Sequence, residues 1–214
     1  MVIKKPVLSV ESISESFKRM IFELEDYFFE KIHSLDLNGI IKNEALNSNH
    51  KHSLPHATAY QAVWSRNLRE IFLETRKTGY KFENFIDVGS GKGKACFYAQ
   101  FKKEFNNVIG IEFSKTLIDI ANRNKEKNFS KNTNFIHTDA TEYILPDQPS
   151  LVFLFNPFDS IVLGKFVTNN IKHFRKHKSI IAYANDTERL CLNKIGFETI
   201  FRNQTRRISL FQIS

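Results

Sequence analysis

The chain has 214 residues, 42% of them hydrophobic and 21 of them phenylalanine, with a formal net charge of +8 and a pI near 9.4. That length supports one sizeable core with extra elements, and no apolar run reaches the roughly 18 residues a membrane span needs. Two cysteines with no Cys-x-x-Cys pair exclude a zinc site of that kind and suit two reduced thiols in a cytoplasmic protein, and the first ten residues carry lysines with no long apolar stretch behind them, so no secretory leader is expected.

Taken in chain order, residues 12–33 read as an amphipathic helix, because Ile13, Phe17, Met20, Ile21, Leu24, Tyr27 and Phe28 recur at spacings of three and four. A lid, a dimer contact and a core-packed helix are the alternatives, and core packing is the working expectation. Residues 34–56 are polar and read as a loop. His50, His52 and His56 fall there without an acid or cysteine at ligand spacing, so no metal site is expected. Residues 57–77 read as the next helix, with Tyr60 and Trp64 one turn apart; they either line a pocket or pack on the sheet. Residues 1–55 are thus set apart as an N-terminal helical extension and loop from a main domain, 56–214.

From there strand and helix alternate. Strands are expected at 84–88, 107–112, 133–137, 150–155 and 178–184, and helices at 93–103, 114–127, 160–174 and 186–195. Such alternation implies right-handed crossovers in an α/β fold with a doubly wound, mostly parallel sheet. Two last runs, 197–201 and 207–213, have no long helix between them and read as a closing hairpin whose last strand is antiparallel. Basic residues gather at 172–178 and at Arg202, Arg206 and Arg207, which permits an anionic partner.

The most informative stretch is Phe85-Ile86-Asp87-Val88-Gly89-Ser90-Gly91-Lys92-Gly93, an apolar run that ends at an acid and passes through three alternating glycines into a helix. A P-loop needs four residues between its first glycine and a Gly-Lys pair followed by Ser or Thr; here three separate Gly89 from Gly93, and Ala95 follows Lys94. The dinucleotide fingerprint needs its third glycine one place later, where Lys94 stands. An acid two residues before the first glycine is a poor neighbour for pyrophosphate and suits a ligand carrying an ammonium group and a positive sulfur. Three further strand-like runs end in polar residues: Ile109-Gly110-Ile111-Glu112-Phe113, Ile136-His137-Thr138-Asp139-Ala140, and Leu154-Phe155-Asn156-Pro157-Phe158. Glu112 lies 25 residues beyond Asp87, a plausible length for one helix and a return strand.

Asp-x-Gly-x-Gly-x-Gly, followed by these three strand ends, resembles the class I S-adenosylmethionine-dependent methyltransferases, in particular small bacterial members. The resemblance covers roughly residues 80–214. It implies a Rossmann-like seven-stranded sheet and S-adenosyl-L-methionine as cofactor. It implies that Asp87 and the loop of Gly89, Ser90, Gly91 and Gly93 hold the methionine and ribose part, that Glu112 accepts the ribose hydroxyls, and that Phe113, Asp139 and Ala140 border the adenine. Tyr60 is assigned to the same site. Asn156, Pro157 and Phe158 match the family's acceptor motif, with one proline missing. In that motif an asparagine oxygen and a backbone carbonyl accept from the substrate nitrogen, and an aromatic ring packs on a planar substrate. The expected activity is methyl transfer to a nucleophile, taken as nitrogen, of a protein side chain or small molecule. A nucleic-acid base, and a non-catalytic cofactor-binding module, are the alternatives. A nicotinamide oxidoreductase is disfavoured by Asp87 and Lys94.

Overall fold

The computed structural model describes residues 10–37, 39, 54–58, 60–128 and 131–213. Seven strands form one sheet: β1 (Asn84–Val88), β2 (Asn107–Glu112), β3 (Thr133–His137), β4 (Ser150–Phe155), β5 (Ile180–Ala184), β6 (Glu198–Asn203) and β7 (Ile208–Gln212), in the order β3-β2-β1-β4-β5-β7-β6. β1 to β5 are parallel; β7 runs antiparallel to both β5 and β6. The helices are α1 (Val10–Ile32), α2 (Ser65–Lys77), α3 (Lys94–Lys102), α4 (Lys115–Lys127), α5 (Ser160–Asn169), α6 (Ile171–Lys176) and α7 (Arg189–Ile195). The doubly wound sheet and closing hairpin are those expected.

Alternate residues of the central strands serve opposite faces, since successive side chains point to opposite sides of a sheet. Phe85, Leu151, Phe153 and Ile180 pack with Leu68, Ile71 and Phe72 of α2 and Ala95, Cys96 and Ala99 of α3. Ile86, Val88, Val152, Leu154 and Ile181 pack with Val162, Leu163 and Phe166 of α5, Phe174 of α6 and Leu192 of α7. Both faces are covered, so β1 and β5 are buried along their whole lengths and β4 along all but its last residue, Phe155, and all three are mostly apolar, with Asn84, Asp87 and Ser150 the polar exceptions. The strand order reverses between β1 and β4. Their C-terminal ends therefore feed helices on opposite faces and leave a crevice between the Gly89 and Asn156 turns.

Three expectations need correction. Residues 57, 58 and 60–63 are not helical; α2 begins only at Ser65, because Ala57 forms an antiparallel bridge with Phe158 and the Thr58 N–H donates to Pro157 O at 3.0 Å. The helix expected at 160–174 breaks at Asn170. That side chain donates to Tyr143 O and Phe166 O and accepts from the Leu145 N–H, which tethers a loop instead of continuing the helix.

The third correction concerns α1, which packs by a different face from the one its apolar spacing suggests. Phe17, Met20, Ile21, Leu24, Tyr27 and Phe28 are exposed among the described residues. The inner face instead carries Phe22, Glu25, Asp26, Phe29 and Glu30. Phe22 lies under the Arg66 guanidinium, and Phe29 meets Tyr98 and Phe101. Glu25 pairs with Arg69, and Asp26 pairs with Lys94 at 2.8 Å. The residues from His33 to Leu37 continue this seam: Lys92 pairs with Asp36 at 2.9 Å, and the Asn124 side chain bonds both the N–H and the carbonyl of Asp36.

Candidate active site

A cavity of 220 Å³ opens at the crevice between β1 and β4. Asp87, Gly89, Ser90, Gly91, Glu112, Phe113, Asp139, Ala140, Asn156, Pro157, Phe158 and Tyr60, drawn from five separate stretches of sequence, all line it. Gly93 does not. It caps α3 with φ +91°, and a Cβ there would meet the Phe135 ring at 2.5 Å, so its smallness serves packing between α3 and β3. His56, the one described member of the expected histidine cluster, bonds Asp159 from Nδ1 at 2.6 Å; His50 and His52 lie outside the described residues. Among the described residues no group of His, Cys, Asp or Glu could hold a metal ion.

The glycines of the loop make room for neighbouring chain as much as for a ligand. Gly89 has φ +79°, and a Cβ there would lie 2.3 Å from Pro157 Cβ. Gly91 has φ +55°, and a Cβ there would lie 2.3 Å from the Tyr60 ring. A side chain at either place would be strained by conformation and by contact alike. Tyr60 is held over the loop by its hydroxyl, which donates to Leu37 O at 2.8 Å, and Lys92 Nζ lies 5.7 Å from its ring centroid. Ser90 Oγ is buried against Gly110 rather than turned to the cavity, with no hydrogen-bond partner among the described residues.

Two buried carboxylates define the electrostatics. Asp87 is 3% exposed, and the one side-chain donor to it among the described residues is the Cys96 thiol at 3.7 Å. Burial pushes its pKa up to about 8, with the thiol pulling down and Glu112 adding to the rise. Glu112 is 5% exposed, accepting from Gly91 N–H at 3.0 Å and Ser114 N–H at 2.8 Å. Burial lifts it to about 6 against those two donors. Asp139 is 4% exposed and turns Oδ1 to Thr141, accepting from its N–H and hydroxyl.

This donor set fits a sulfonium nucleoside. An enclosed carboxylate whose burial is offset by little else gains most from a cation, here the amino group or the positive sulfur. An acid braced by two backbone N–H groups still has lone pairs for vicinal hydroxyls.

The other half of the lining is different in character. Ala57, Thr58, Gln61, Ala62, Val63, Phe155, Asn156, Pro157, Phe158, Val162 and Asn185 carry no ionisable side chain. Both lone pairs of Asn156 Oδ1 are engaged, by the Tyr183 hydroxyl at 3.1 Å and by the Thr187 hydroxyl. Pro157 O accepts from the Thr58 N–H, and Asn156 O from the Thr58 hydroxyl at 2.6 Å. The acceptor oxygens expected to meet a substrate nitrogen thus already have protein donors. Phe158 lines the cavity but is 7% exposed and belongs to the α5-side core.

Lining residues that the motifs did not announce include Lys94 and Asn185. Lys94 was visible as the residue that stands where the dinucleotide fingerprint needs its third glycine. Asn185 was visible as a second Asn closing a buried apolar strand, just as Asn156 closes β4.

Comparison with known proteins bears on the family and the fold. Residues 81–204 match the family described as methyltransferase domain, which is more than half of the chain. A tRNA (guanine-N(7)-)-methyltransferase of Pediococcus pentosaceus is 38% identical over 73 residues, 33% of this chain and 34% of that protein, so the match spans about a third of the relative. Among solved structures, a ribosomal protein L11 methylase from Lactobacillus delbrueckii subsp. bulgaricus shares the fold with a TM-score of 0.52 at 15% identity, covering 70% of this chain and 78% of its own. A SAM-dependent methyltransferase from Aquifex aeolicus gives a TM-score of 0.52 at 16% identity, over 68% of this chain and 90% of its own.

Proposed function

The chain belongs to the methyltransferase domain family, and from that membership we propose that it places a methyl group on a nitrogen atom of its acceptor. It is an S-adenosylmethionine-dependent methyltransferase. When bound, that cofactor supplies a methyl group already activated by its positive sulfur. The protein's share of the work is alignment and exclusion of water.

Asp87 would hold the cationic end, Glu112 the ribose, and Phe113, Asp139 and Ala140 the adenine side. Gly89 and Gly91 would allow the backbone close approach, with Tyr60 covering the loop. Asn156 would act as a positioning residue: clamped by Tyr183 and Thr187, it would fix the turn through Pro157 and Phe158 that walls the acceptor.

The observation that supports nitrogen is that, among the described lining residues, the ionisable ones are Tyr60, Asp87, Lys94, Glu112 and Asp139, and none belongs to the turn at 155–158 or to Asn185. A carbon or oxygen nucleophile needs a base to take its proton before or during attack. A neutral nitrogen attacks with its lone pair and releases the proton afterwards.

The test is incubation with S-adenosylmethionine labelled in its methyl group and fractionated lysate, followed by chemical identification of the labelled atom. Methyl on nitrogen is the expected result; methyl on carbon or oxygen would sink the reading. Asn156→Gly, which keeps the left-handed backbone at φ 43°, should bind cofactor as the parent does and lower kcat at least about tenfold, the equivalent of ~1.4 kcal/mol. Full activity in that variant would remove Asn156 from the mechanism.

A further inference from the structure

We propose that the acceptor is a nucleotide, its base held by the Asn185 carboxamide and its phosphate by Arg207; the assignment rests on the methyl-transfer reading of the cavity. The starting point is a row of strained residues. Asn156 (φ 43°), Asn185 (φ 53°) and Arg207 (φ 53°) are all left-handed without being glycine. They are also neighbours in space. Phe155 pairs with Ala184, so Asn156 and Asn185 are the first residues beyond the paired ends of β4 and β5. Ala184 pairs in turn with Ile208, and the Asp186 N–H donates to Arg207 O at 3.1 Å, so Arg207 stands next in line. Strain of this kind persists where the surroundings impose it, and it gathers at binding sites.

The three members differ in what they leave available. Asn156 spends its side-chain oxygen on Tyr183 and Thr187. Asn185 lines the cavity, and among the described residues its carboxamide has no hydrogen-bond partner. An unengaged carboxamide offers two donors and an acceptor in one plane, the complement of a nucleobase edge. Phe155 and Phe158 line the same half and supply flat apolar surface.

One strand further out, the arginines are not equivalent. Arg202 pairs with buried Asp186 at 3.0 Å, and Arg206 pairs with Glu70. Arg207 is exposed and has no ion-pair partner among the described residues. Arg207 is not among the residues that line the cavity; its backbone stands one strand beyond Asn185, and a guanidinium on that edge suits phosphate, which it binds through paired N–H donors.

The experiment uses the full chain, methyl-labelled S-adenosylmethionine and five probes: bulk RNA, single-stranded DNA, mononucleotides made by digesting that RNA, a nucleic-acid-free protein extract, and a nucleotide-free metabolite extract. The expected result is label in a nucleotide probe, and the probe labelled best identifies the source as RNA, DNA or free nucleotide. Asn185→Gly and Arg207→Gly both tolerate the left-handed backbone, and calorimetry with S-adenosylmethionine confirms that each still folds and binds. Asn185→Gly should lower kcat at least about tenfold. Arg207→Gly should leave kcat within about twofold, raise KM for a polynucleotide roughly tenfold and reduce the salt slope by about one. Label confined to protein or to nucleotide-free metabolites would overturn the nucleotide assignment and leave methyl transfer standing. Cofactor binding with no label in any probe would overturn both. Unchanged kinetics in both glycine variants would overturn the roles of Asn185 and Arg207.

Discussion

Among the described residues Asp87 has a thiol as its side-chain donor and no cation bonded to it, and burial lifts its pKa to about 8, so at neutral pH it is expected to keep its proton until a cation arrives. Cofactor binding at pH 6.5 should therefore release close to one proton, seen as a dependence of the calorimetric heat on buffer ionisation enthalpy. Asp87→Asn should abolish that release and weaken binding by about 2 kcal/mol, the scale of a hydrogen bond to a charged group. The sign for stability is opposite to that of an ion-paired acid. The folded pKa of about 8 lies above the unfolded 3.8, so the native state binds the extra proton between them, and Asp87's contribution falls as pH rises through that window. Denaturation of the cofactor-free protein at pH 5 and pH 8 should show a smaller decline in Asp87→Asn than in the parent. Gly89 sets a second test. Alanine there meets Pro157, so Gly89→Ala should cost at least ~1 kcal/mol of stability and disturb the acceptor turn along with the cofactor loop. Cofactor affinity that falls while kcat at saturation is untouched would refute that coupling.

At the scale of elements, the seam between α1 and the glycine loop was the part hardest to read. Amphipathic spacing finds the stripe with most apolar area, and in α1 that stripe is exposed among the described residues. The packed face is built from Asp26, Glu25 and Glu30, because what it meets are Lys94, Arg69 and Lys92. A sequence pattern cannot announce a buried ion pair whose two halves lie 68 positions apart. Residues 57, 58 and 60–63 were misread for a related reason: their backbone groups are claimed by the Asn156 turn, a long-range contact that overrides local helical spacing. The Lys94–Asp26 pair, with side chains 4% and 18% exposed, gives the measurable consequence. Lys94→Met strands a carboxylate and should cost about 3 kcal/mol, whereas Lys94→Met combined with Asp26→Leu should recover most of it. Thermal melts of the two variants decide the matter; equal losses would mean that packing, not charge, governs the site.

Across the whole molecule, the sheet was legible because its central strands are covered on both faces and polar residues stand at or just beyond several of their C-terminal ends. Asp87, Glu112, Asp139 and Asn156 could each be placed on a strand tip from sequence, and the topology does the rest by bringing those tips to one edge. The roles within that edge were less legible. Whether Asn156 or Asn185 keeps its carboxamide unengaged depends on Tyr183 and Thr187, and no spacing rule carries that. The net charge of +8 gave a direction but no address; pairing of Arg202 and Arg206 is what singles out Arg207.

Lys92 and Lys94 of the glycine-rich stretch have a practical implication for anyone trimming the chain. A protein begun at residue 56 would retain every recognisable motif, yet Lys92 and Lys94 would lose the counter-charges of Asp36 and Asp26, and Tyr60 its anchor at Leu37. Such a fragment is expected to bind S-adenosylmethionine at least about tenfold more weakly than the intact chain, because the glycine bend proposed to hold it is braced from outside the matched region. Equal affinity in the two would mean that the leading segment is mere ornament to the fold.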